Sequence, residues 1–206
     1  MLIVTYSLVT LTVEQEKTRH LLSALQQRVQ QYCATQSQCV EISELEPILN
    51  QLMQFDDACR HRNVELYIIP AIRRATQEAN ALLAELQAGS SAGSHLLTSV
   101  RERLQQPGIE HGIRTVNELA SAMESYCRQL HGRLSREEVE LFPIARRVIT
   151  SEEEWFAIAA QFISHDETAH AYQPSASMRA PVAEKYTQTP HRFTANRSAP
   201  LMELQH

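Results

Sequence analysis

At 206 residues, with 43% hydrophobic and 21% charged side chains, the chain has the make-up of a soluble globular protein with one core, the usual domain being ~100–150 residues. A net charge of −5 with no lysine or arginine block excludes the electrostatic footprint of a nucleic-acid binder. The apolar start MLIVTYSLVTLTV has no basic leader and falls short of the ~20 apolar residues of a membrane span, so it is expected to be a packed arm and no membrane partner is expected.

Only 5 Gly and 8 Pro, against many Leu, Ala, Gln and Glu, favour helices. Thr12 with Gln15 has the spacing of a capping box, in which a hydroxyl and an amide or carboxylate satisfy free backbone N–H groups at a helix start. It is expected to open a first helix with Leu21, Leu22, Leu25, Val29 and Tyr32 on its apolar line. Ser43 with Glu46 opens a second helix, where Pro47 is tolerated in the first turn. Its line runs through Ile48, Leu52, Phe55 and Cys59 towards Arg74. A third helix is expected from about Glu78 to Gln105, weakened in the middle by AGSSAGS, and PGIEHG at 107–112 reads as a loop.

Thr115 with Glu118 opens a fourth helix with Met123, Tyr126, Leu130, Leu134, Leu141 and Ile144 as its line, running to about Val148. Thr150 with Glu153 opens a short fifth, carrying Trp155, Ile158 and Phe162. From His165 the periodicity dissolves. The expected architecture is all-α: an up-down-up-down four-helix bundle over residues 1–165, with the short fifth helix, and a flexible C-terminal tail over 166–206, disordered from 172. Cys33, Cys39, Cys59 and Cys127 contain no C-x-x-C pair, which suits reduced thiols in a cytoplasm.

Two stretches repeat one another without gaps. RHRNVELYIIPAIRR at 60–74 and RLSREEVELFPIARR at 133–147 align Arg60 with Arg133, Glu65 with Glu138, and Pro70 with Pro143. His61 and Glu65 stand one helical turn apart, and imidazole with carboxylate at that spacing can hold a metal inside a bundle. The plainer reading of this pair is an ordinary surface contact. Glu137 falls on or beside the apolar line of the fourth helix, so its charge needs a partner, and Arg133 at i−4 supplies one. The bundle can bring Arg60 or Glu65 to the same level.

LNQLMQFDDACRHRNVELYIIPAI resembles the second helix of bacterial hemerythrin-like (HHE cation-binding) domains, and ESYCRQLHGRLSREEVELFPIARRVITSEEEWFAI resembles their fourth helix and its exit. The resemblance covers about residues 12–165. It implies a bundle around a non-haem iron centre of one or two ions, binding or sensing oxygen, nitric oxide or redox state. His61, Glu65 and Glu137 would be ligands, with Glu138 beside them. The chain departs from that pattern: Arg60 and Arg133 stand where the family has histidines, Gly89-Ser90 fill the ligand positions of helix 3, and Gln15 or Glu16 that of helix 1. His20, His95 and His131 are out of register for these places. The alternative is a metal-free bundle acting as a regulatory or protein-interaction module, with Arg133 taking over charge once supplied by iron. No nucleophile, acid or base has a partner and no phosphate loop is visible, so an enzyme is not expected.

Overall fold

The structure is a computed structural model that describes residues 2–35, 42–106 and 113–171. Its contacts divide the chain into Met1–Thr168 and Ala169–His206. The expected loop at 107–112 and tail at 172–206 lie outside the described residues. Among the described residues the fold is all-helical, with no strand.

Helix α1 spans Leu2–Thr35, so the apolar start is helix from its second residue. Thr12 therefore does not cap: its hydroxyl donates to the Leu8 carbonyl at 2.9 Å inside the helix, as Thr10 does to Tyr6 at 3.0 Å. Gln15, the other half of the expected box, is buried.

Helix α2, Ile42–Arg60, carries Pro47 in its second turn. It does not continue to Arg74. The chain breaks at His61 and Arg62, where the His61 N–H reaches back only to the Ala58 carbonyl at 3.0 Å. A π turn follows over Val64–Ile68, and then α3 over Ile69–Ala75. Helix α4, Asn80–Gln105, runs unbroken through AGSSAGS. Its Gly93 is a point of close approach, since a Cβ there would lie 3.2 Å from two ring carbons of Tyr126.

Helix α5 spans Ile113–Arg136, a second π turn Glu137–Leu141, and α6 Phe142–Val148. Helix α7 spans Glu152–Ala171, beyond the expected end at His165. Its cap is Ser151 and not Thr150: the Ser151 hydroxyl accepts from the Glu154 N–H at 3.3 Å.

The two π turns are separated by 73 residues, the same interval that relates Pro70 to Pro143. In each, an N–H reaches five residues back: Ile69 to the Val64 carbonyl, and Phe142 to the Glu137 carbonyl. Proline cannot donate, and its ring collides with the carbonyl four residues earlier, here Leu66 or Val139. A wider turn just before the proline relieves that collision while the helix continues.

Helix α1 packs on α2 and α5, α4 packs on the same two helices, and α3 packs on α6. Two apolar clusters result. One gathers Leu22, Val29, Leu52, Phe55, Met123 and Leu134, among others. The second gathers Leu11, Val64, Ile68, Leu141, Trp155 and Phe162, with others. On α1, at the α2–π junction and at the start of the second π turn, a polar residue stands between the two: Gln15 between Leu11 and Leu22, Arg62 between Cys59 and Val64, Glu137 between Leu134 and Leu141.

Candidate functional site: a buried charge layer

Glu137 is fully buried and every lone-pair direction of its carboxylate is engaged. Arg62 approaches it two-pronged, Nη1 donating to Oε2 at 2.9 Å and Nη2 to Oε1 at 2.8 Å. Arg133 Nε donates to Oε1 at 2.8 Å, and Gln15 Nε2 donates to Oε2 at 2.5 Å. Glu65 joins through Oε1, which accepts from Arg133 Nη2 and lies 3.5 Å from Arg62 Nη2. Two guanidinium groups thus face two carboxylates, and the layer is close to neutral. Arg62 is tied further by its Nε donating to the Cys59 carbonyl at 3.2 Å.

The electrostatics follow from this pairing. Burial would raise the Glu137 carboxyl, but Arg62 and Arg133 outweigh it and hold the group below its ordinary value. Burial works against the charge of Arg62, and Glu137 more than offsets it, so the guanidinium is held more firmly protonated than usual. For Glu65 burial wins over the pull of Arg133 and Arg62, and its carboxyl is pushed up. Nearby, the Cys59 thiol is pushed up to about 12, chiefly by burial.

Local structure explains which arginine points inward. In the second half α5 is continuous through Arg133, so the i to i+4 spacing delivers Arg133 to Glu137 as expected. In the first half the break at His61 and Arg62 shifts the phase of the helix. Arg62 takes the interior position, while Arg60, the sequence counterpart of Arg133, is exposed and donates to Asp56 at 3.3 Å and Ser94 at 2.6 Å.

Of the four expected site residues, the structure brings Glu65 and Glu137 into one layer. His61 is exposed, its Nδ1–H donating to the Asp57 carbonyl at 2.9 Å. Glu138 is half-buried and pairs with Arg19 at 2.7 Å. Among the described residues, no three His, Cys, Asp or Glu side chains converge as a metal-binding group. Arg62 went unnoticed in the sequence, although it stands three residues before Glu65, a spacing at which helical charges meet. Of Gln15 and Glu16, the two residues that the resemblance sets at the helix 1 ligand position, Gln15 lies at this level and hydrogen-bonds the same carboxylate.

Comparison with protein-family models, with curated proteins and with solved structures finds no match to this chain.

Proposed function

We propose that this chain is a divergent, metal-free bundle of hemerythrin type in which arginine does the electrostatic work of iron, and that it acts as a regulatory or interaction module. In this reading α1, α2 with its continuation, α4 and α5 are the up-down-up-down bundle, and α7 is the short fifth helix. The observation that carries it is Glu137. A carboxylate with four hydrogen bonds, three of them from guanidinium groups, has no lone pair left for a cation.

For iron to sit between Glu65 and Glu137, both arginines would have to leave, and His61 would have to turn away from Asp57. The donor set therefore suits arginine better than it suits iron. A hemerythrin-type iron protein that binds oxygen or nitric oxide remains the competing reading, and one measurement separates the two. Protein purified without added metal, then loaded anaerobically with ferrous iron and desalted, is expected to keep less than roughly a tenth of an equivalent. Iron near one or two ions per chain, with a visible band that moves on adding azide or nitric oxide, would overturn the proposal.

A further inference from the structure

A cleft of about 900 Å³ between α2, α4 and α5 opens onto the charge layer, within the ~300–1,000 Å³ range of small-molecule sites. Its α4 wall has Glu85, Leu86 and Gln87 at one end and His95 and Thr98 at the other, and between them the run from Gly89 to Ser94, where no side chain is larger than that of serine. A Cβ added at Gly89 on α4 or at Gly132 on α5 would meet nothing within 4 Å, so neither glycine is pressed against a neighbour. The lining carries Arg60, Arg62, Arg133 and Arg136 together with Asp56, Glu65 and Glu85, so groups of both signs face the cleft.

Hydrogen-bonding capacity is left over on both signs. Arg133 uses Nε on Glu137 and Nη2 on Glu65, while its Nη1 makes only a long contact of 3.4 Å with the Leu86 carbonyl. Arg136 reaches Glu140 and Glu85 through Nε and Nη2, and its Nη1 has no partner among the described residues. Glu65 is engaged through Oε1, and its Oε2 accepts no hydrogen bond from the described residues.

We infer that the cleft binds a small zwitterion of the amino-acid class, its carboxylate on Arg133 and Arg136 and its ammonium on Glu65 Oε2. Both contacts are charge-assisted hydrogen bonds, the strong kind, and the small-residue wall of α4 leaves room for the ligand's side chain. The inference rests on the metal-free reading, because Glu65 and Arg133 must be left to the ligand.

The test uses the full chain, with iron content measured on the same samples. The common free L-amino acids are screened by shift in melting temperature, and binders are quantified by calorimetry beside their N-acetyl and amide derivatives. At least one amino acid is expected to bind, with acetylation and amidation each weakening it at least tenfold, which is ~1.4 kcal/mol. Gly89→Leu, which fills open space, is expected to abolish binding without lowering the melting temperature, and Glu65→Gln to erase the penalty for acetylation. An iron-free protein that binds no amino acid at roughly 10 mM, or a binder indifferent to acetylation or to Gly89→Leu, overturns the cleft inference alone. Stoichiometric iron overturns the metal-free reading and the inference with it.

Discussion

Arg62 and Glu137, 75 residues apart in the chain, meet as a two-pronged ion pair at 2.8 and 2.9 Å with both side chains buried. Removing one partner strands the other in the interior. Arg62→Met is expected to destabilise the fold by about 3–5 kcal/mol, whereas Arg62→Met combined with Glu137→Leu recovers most of that loss. Urea denaturation of the singles and the double gives the coupling energy directly. A double variant no more stable than the worse single would show that the pair is not a unit.

The acid limb of the stability curve is expected to report two carboxylates of opposite sign. Glu137 is held below the ordinary 4.5, so the unfolded state binds its proton first, and its contribution is present above that value and lost as pH falls through the folded pKa. Glu65 lies above 4.5, so its contribution is present below 4.5 and lost as pH rises through its folded pKa. The two partly cancel in the wild type. Glu65→Gln removes the opposing share, and stability measured between roughly pH 3 and 6 should then fall more steeply with acid than in the parent.

Cysteine reactivity separates by burial. Cys59 and Cys127 are buried with thiols pushed up to about 12, so neither supplies thiolate at neutral pH. Cys33 is exposed. In native protein carrying Cys39→Ser, Ellman's reagent is expected to titrate one thiol quickly, at Cys33, and the other two only after denaturant is added. Rapid labelling of Cys59 would contradict the packing of the layer it adjoins.

The two glycines of the α4 wall are expected to respond in opposite directions. Gly89→Ala meets nothing within 4 Å and gains helix propensity, so it should stabilise by about 0.5–1 kcal/mol. Gly93→Val drives side-chain atoms into the Tyr126 ring, which is held in place by its hydroxyl donating to Asp56 at 3.0 Å, and should cost about 1–3 kcal/mol. Thermal unfolding of the two variants decides the order.

Much of the core was legible because apolar side chains recur at helical spacing: Leu22, Val29, Leu52, Phe55, Met123, Tyr126 and Trp155 are all buried. The same rule failed where the interior itself is polar. Leu21 was placed on the apolar line and is 52% exposed, while Gln15 and Thr18 on the same helix are buried. The start of α1 was misplaced because a threonine that back-bonds within a helix and one that caps it are the same residue type. The contact of Arg133 with Glu137 followed from i to i+4 spacing, and that with Glu65 from the bundle bringing a second helix to the same level. The inward turn of Arg62 depends on a break and a π turn that periodicity assumes away.

The reach of the charge layer along the chain bears on when it can form. Gln15 and Glu137 are 122 residues apart, and Arg133 and Glu65 are 68 apart, so no single helix or hairpin contains the whole set. Contacts of such long range form only after the intervening loops have closed. The apolar clusters on either side join equally distant segments, Leu22 with Leu134 and Leu11 with Trp155, so the layer and its flanking cores depend on the same closures. Interactions that form after the rate-limiting step hold back escape from the native state more than they hasten arrival. A latch of this kind would show in the double variant Arg62→Met with Glu137→Leu as a faster unfolding rate and an unchanged folding rate.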